Sequence, residues 1–236
     1  ANAALAAAGL PLADGPAALA VEGDSRIAWG RQATTVVAER DGRLHRLSAA
    51  SVVGEGSNVA GHPRDALALA LPDEGARAGG ASLRTLGALA RSLQMAGALE
   101  RVLELTIEHV STRVQFGRTL SKFQAIQQEL AKVAGEVAAA SAAADHAADA
   151  YAGGDLDFAV AVARARIGEA VGKAVGIAHQ LHGAIGYTKE HALHRYTTAL
   201  WAWRDEFGTQ RAWTRAVGER ALAAGRDGYW PMVVAA

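Results

Sequence analysis

Near residue 80 the chain changes character, and that change most constrains what it can fold into. Before it, prolines and glycines punctuate short β-like runs: "RIAWG" (26–30), "ATTVVAER" (33–40) and "RLHRLS" (43–48). After "GARAGGAS" the apolar residues Leu86, Leu89, Leu93, Ala96, Leu103, Ile107 and Val110 recur at spacings of three, four or seven, the signature of one long amphipathic helix. A small β segment followed by a helical bundle is therefore expected, divided at 1–80 and 81–236.

The rest of the helical half is legible from its punctuation. A second helix, Ala-rich, runs from about Ser121 to Tyr151 and stops at Gly153-Gly154, with Asp155 placed to cap the next. A third runs from about Leu156 to His182, and shorter helices are expected over about 189–203 and 206–224. Small side chains let such helices approach closely, so four or five of them should pack as an antiparallel bundle. In the front segment, Asp41-Gly42 between two strand-like runs predicts a tight hairpin, and "GEGSNVAGHPRD" reads as a loop.

Composition excludes several functions. Lysine plus arginine and aspartate plus glutamate balance at 24 each, which removes the long-range field that would draw the chain to nucleic acid or an acidic membrane. With no cysteine, thiolate catalysis, disulfides and zinc-thiolate sites are ruled out. No stretch reaches the roughly 18 strongly apolar residues of a membrane helix, and "ANAALAAAGLPL" lacks a basic leader, so a soluble, cytoplasmic protein is expected.

Three stretches carry more than bundle. In "STRVQFGRTLSKFQAIQQELA" (111–131), Arg113, Gln115, Phe116 and Gly117 interrupt the apolar rhythm. A cationic fork beside an aromatic and a glycine suits a diphosphate lying on backbone, or else forms a plain interhelical turn with solvated arginines. In "AHQLHGAIGYTKEHALHRY" (178–196), Gln180 precedes the backbone opening at Gly183 and Gly186, which also reads as an ordinary glycine cap. His179/His182 and His191/His194 have a spacing compatible with metal ligation on a helix, but no HExxH sequence is present and no metal site is expected. In "RDEFGTQRAW" (204–213), Asp205 and Glu206 precede Phe-Gly-Thr, where they could serve as a base or merely stabilise the start of a helix. Trp201, Trp203 and Trp213 cluster around that stretch as expected core or interface residues.

Together, "TRVQFGRTLSKFQAIQQELA", "HQLHGAIGYT" and "FGTQR" resemble, in order and spacing, the C-terminal helical domain of the acyl-CoA dehydrogenase family, over about residues 82–222. The resemblance implies a mainly α fold: a C-terminal antiparallel four-helix bundle, preceded here by a small partial β-domain, with FAD as cofactor and an acyl-CoA as substrate. Residues 20–75 look like part of the family's middle domain, and its N-terminal helical domain is expected to be missing. Residue by residue, the resemblance places Arg113, Gln115 and Phe116 at positions that reach the FAD of a neighbouring subunit. It places Gln180, Gly183 and Ala184 along the adenosine-diphosphate half, and Thr209 also against the cofactor. The family's second glycine before the Gly-Tyr is Ala184 here.

The implied reaction is α,β-dehydrogenation of an acyl-CoA thioester, which needs a carboxylate of raised pKa to take the α-proton. In many members it immediately precedes Gly-Thr, where this chain has Phe207; Glu206, one residue earlier, is the candidate base. The family's other location for the base falls near Gly87, which cannot serve. Two readings follow: a catalytic subunit using Glu206, or a non-catalytic FAD-binding subunit. Either assembles as a homo- or hetero-oligomer with a longer acyl-CoA dehydrogenase chain.

Overall fold

A computed structural model describes residues 1–48 and 50–234. The chain divides into two compact units, Ala1–Gly87 and Ala88–Ala236.

The first unit opens with a short helix, α1 (Asn2–Ala7), and is otherwise built of strands: β1 (Ala17–Ala20), β2 (Ile27–Ala28), β3 (Thr35–Arg40), β4 (Arg43–Leu47), β5 (Ser51–Gly54), β6 (Arg64–Ala68) and β7 (Ala76–Arg77). One sheet has the order β1-β3-β4-β7, with β1 parallel to β3 and the remaining pairs antiparallel; a second has the order β2-β6-β5. The β3-β4 hairpin turns at Asp41 (φ 51°) and Gly42 (φ 68°), the two left-handed residues that a type I′ turn requires. "RIAWG" yields only two strand residues, because Trp29 enters the left-handed region at φ 59° and ends the run. Ala18, Ala20, Ile27, Val36 and Ala38 bury together as the core between the strands. Asp65 is fully buried and held by Arg31, whose backbone N–H donates to it at 2.8 Å and whose Nε donates at 3.0 Å.

The helical unit is carried by α2 (Leu83–Thr112, its first turn belonging to the preceding unit), α3 (Gln124–Ala150), α4 (Leu156–His182), α5 (Leu193–Arg204) and α6 (Gln210–Val234). The observed fold is mainly helical, as expected. Helix α4 starts where the sequence predicts: the Asp155 carboxylate accepts the Phe158 N–H at 3.1 Å as an N-cap. Val133, Val137, Ala140, Ala144 and Ala147 of α3 bury with Ala159, Ala163, Ile167, Ala170 and Ala174 of α4, and the small side chains let the two helices pack closely. Glu136 of α3 is paired with Arg166 and with Lys173 of α4, tying the same two helices together. On α2 the buried face runs through Leu89, Leu99, Val102 and Val110, while Leu93 and Ile107, expected on that face, are 42% and 46% exposed. Leu89 and Ile107, five full turns apart, point the same way, so what covers that face changes along the helix. Helix α6 bends at Gly225, where φ is 65°.

"RVQFGRT" is an element the helical reading did not anticipate. β8 (Val114–Gln115) pairs antiparallel with β9 (Arg118–Thr119) around Phe116 (φ 52°) and Gly117 (φ 78°), a second type I′ hairpin between α2 and α3. No helix among the described residues is long and apolar enough to cross a membrane.

Candidate functional site

The site residues suggested by the sequence fall into two groups. The first gathers where α2 and α4 end. The imidazoles of His109, in the last turn of α2, and His182, the last residue of α4, stack with centroids 4.5 Å apart, which fixes the two helix ends beside each other. Arg113 follows directly, its N–H donating to the His109 carbonyl at 2.9 Å and its own carbonyl accepting from Leu120 to close the β8-β9 hairpin. Gly183 and Ala184 follow His182, and Gln180 lies on the final turn of α4. Arg113, Gln115, Phe116, Gln180, Gly183 and Ala184 are all exposed.

This end offers two groups that an anion could use, against the negative dipole ends of α2 and α4. Gly183 takes φ 66° as it terminates α4, and a side chain added there would meet nothing within 4 Å, so its backbone lies open to close approach. Arg113 supplies a mobile guanidinium fork on the same helix ends. Phe116, 91% exposed at the hairpin tip, touches Phe123 edge-on at 6.3 Å, and Arg118 lies over that second ring at 4.1 Å. A diphosphate resting on the Gly183-Ala184 backbone and the Arg113 fork fits these groups.

The second group lies on the α5–α6 turn. Thr209 is the N-cap of α6, its Oγ1 accepting the Ala212 N–H at 3.2 Å. Asp205 follows the last turn of α5 as its C-cap and is exposed next to Arg204, while the side chain that caps α6 is that of Thr209. Glu206 is 6% exposed and turned inward, accepting from Arg91 Nε at 2.6 Å, with that guanidinium also lying over the Trp203 ring. Phe207 stands at φ 59°, a strained conformation for a bulky residue.

What holds that turn is Arg164 of α4, which no motif or spacing singles out. Its buried NH2 donates to the carbonyls of Trp203, Arg204 and Glu206 at 3.0, 2.8 and 2.9 Å. Burial lowers its pKa to about 10, partly offset by the Glu206 charge, and it stays cationic at neutral pH. Trp213 Nε1 donates to the Gly208 carbonyl at 3.2 Å from the other side. Of the three tryptophans, Trp203 and Trp213 pack on the core and Trp201 is 38% exposed.

The two groups are far apart. Arg164 and His182 are 18 positions apart on one helix, or about 27 Å at 1.5 Å per residue. An extended ligand lying along the bundle, or two ligands, would be needed to touch both. In the first unit, Arg26, Arg64, Ser57 and Asn58 line an open cleft of about 420 Å³.

Comparison with known proteins agrees with this architecture. Residues 83–222 match the family described as acyl-CoA dehydrogenase, C-terminal domain. The chain is 33% identical over 109 residues to acyl-CoA dehydrogenase IpdE2 of Mycobacterium tuberculosis, covering 46% of this chain and 33% of that one. It is 32% identical over 126 residues to acyl-CoA dehydrogenase FadE27 of the same organism, covering 50% of this chain and 34% of that one. It thus spans about a third of the length of the curated relatives it matches. Among solved structures, the ChsE4-ChsE5 complex from Mycobacterium tuberculosis superposes with a TM-score of 0.72 at 28% identity, over 90% of this chain and 64% of that one. Butyryl-CoA dehydrogenase from Megasphaera elsdenii shares the fold with a TM-score of 0.74 at 19% identity, over 88% and 63% of the two chains. The chain belongs to the acyl-CoA dehydrogenase family, matching that family's C-terminal helical domain.

Proposed function

We propose that this chain works as a subunit of an FAD-dependent acyl-CoA dehydrogenase, and that its bundle supplies separate edges of a cofactor site shared between subunits. The observations that carry the reading are the His109–His182 contact, which sets the ends of α2 and α4 beside each other, and, just past those ends, the exposed Arg113 and the open backbone at Gly183. When bound, FAD supplies the hydride acceptor for α,β-dehydrogenation of an acyl-CoA thioester. Arg113 would pair with a pyrophosphate oxygen, and the exposed main chain after α4 would accommodate the adenosine half at close range. Gln115 and Phe116, on the projecting hairpin, would reach the cofactor of a neighbouring subunit. Thr209, whose neighbour Gln210 packs on Gly168 of α4 some 14 positions, or about 21 Å, before His182, would meet the cofactor at the other edge. That separation favours an oligomer, with a second copy or a longer acyl-CoA dehydrogenase chain completing each site. The two-chain ChsE4-ChsE5 complex is consistent with such sharing.

For the proton transfer, we read Glu206 as an anchor and not as the base. A base for this step needs a carboxylate made basic by an apolar setting. Glu206 is buried, and its carboxylate is committed to Arg91 Nε at 2.6 Å instead of facing an apolar ligand space. The α-proton would then be removed by a carboxylate of another chain or segment, and this chain's part would be to bind and orient. The test is the native complex, purified through a tag on this chain, with mass and visible absorbance measured together. A second subunit or second copy with stoichiometric flavin supports the reading; a flavin-free assembly refutes it.

A further inference from the structure

Six of the eight histidines lie at or between the end of α2 and the start of α5, and three of them converge: His109, His182 and His191 each offer a ring nitrogen, and these atoms lie within 4.8 Å of one another. The His182 ring is T-shaped to His191 at 4.7 Å, and His109 is edge-on to His191 at 6.2 Å. We propose that His109, His182 and His191 form a three-imidazole site for a late first-row divalent metal ion of the zinc type, with a fourth coordination position left for water or an anionic ligand.

His182 is built for the role. It is 6% exposed, and its Nδ1 donates to the Ala178 carbonyl at 2.7 Å, which fixes the proton on that nitrogen and turns the Nε2 lone pair free. Nε2 is buried and has no hydrogen-bond partner. An orphaned buried acceptor is unfavourable, and a metal ion would satisfy it. A ligating histidine whose other nitrogen donates to a backbone carbonyl is the usual supporting arrangement around zinc.

The surroundings suit a cation held by coordination. His109 and His182 close two helices, so the negative ends of both helix dipoles point at the cluster. Arg113 stands near His109 with the opposite effect, so imidazole ligation must supply the affinity.

Occupancy requires two adjustments. The His109 and His182 rings lie nearly face to face, with 22° between their planes, so their in-plane lone pairs meet only after the half-buried His109 turns edge-on. His191 Nδ1 accepts the Leu193 N–H at 3.1 Å, a bond that ligation would exchange for the metal. Tetrahedral zinc with nitrogen ligands at about 2.05 Å needs nitrogens roughly 3.4 Å apart, within reach of such side-chain rotations.

The chelator-stripped chain is titrated with Zn²⁺ by calorimetry and with Co²⁺ by visible absorption. The proposal expects one ion per chain, tetrahedral Co²⁺ bands, and weakening on the order of tenfold or more in His109→Ala and in His191→Ala, with His146→Ala unchanged. Both variants alter half-exposed rings, and circular dichroism confirms that each is folded. No Co²⁺ band, or equal affinity in the His109→Ala/His191→Ala double variant, overturns it. Neither result depends on the flavin reading.

Discussion

Arg91 Nε donates to Glu206 Oε2 across 2.6 Å, joining side chains 115 positions apart and both largely buried. Removing the cation alone strands a carboxylate in the bundle. Arg91→Ala is expected to destabilise the fold by about 3 kcal/mol or more, while the double variant Arg91→Met/Glu206→Gln loses much less. Urea unfolding followed by circular dichroism measures both. A loss below about 1 kcal/mol in Arg91→Ala would mean that the pair is solvated and that Glu206 is available for other chemistry.

The same pair decides the role of Glu206 in turnover. In the assembled enzyme, Glu206→Gln should leave flavin reduction by acyl-CoA within about tenfold of the parent, since an anchor acts only through position. Stopped-flow reduction reads this directly. A fall of about a thousandfold or more with flavin content intact would identify Glu206 as the base.

Arg164 grips three consecutive-turn carbonyls that close α5 and hold the strained Phe207. Arg164→Met leaves those carbonyls without their donor, at an expected cost of about 3 kcal/mol. Arg164→Lys should recover only part of it, because an ammonium cannot reproduce the fork. Thermal unfolding, with tryptophan emission reporting on Trp203 and Trp213, distinguishes the two.

Much of the fold was legible because its signals are local. Gly153-Gly154 and Asp155 separate α3 from α4 within a residue or two of the expected limits, and Asp41-Gly42 names its own turn. The β8-β9 hairpin was not legible as strands, since two residues on each side carry no period. The site was legible only in part. Arg113 and Gly183 announce themselves by residue type, but Arg91 and Arg164 reach Glu206 across the bundle, and His109 joins His182 from 73 positions away. Such groups leave no spacing for a linear pattern to catch. Thr209, suggested by the resemblance as a cofactor contact, is seen to cap α6.

Asp65 gives the β unit an acid-dependent stability. Its hydrogen bonds from the Arg31 side chain hold its pKa at about 2, below the ordinary 3.8. The native state therefore binds this proton less readily than the unfolded chain; the stabilisation is complete above about pH 4 and is lost as pH falls toward 2. Hydrogen exchange over residues 17–68 should show protection falling through that window. Asp65→Asn should lower protection at neutral pH and flatten the dependence.

The central claim is that Arg113 holds a flavin shared across an assembly, and the most direct measurement is the bound FAD per chain in the native complex with Arg113→Ala. Arg113 is exposed beyond the end of α2, so its removal should not disturb the bundle. The account predicts an unchanged subunit composition with FAD affinity weakened roughly tenfold or more, the worth of one charge-assisted hydrogen bond. Undiminished FAD affinity in that variant would contradict it.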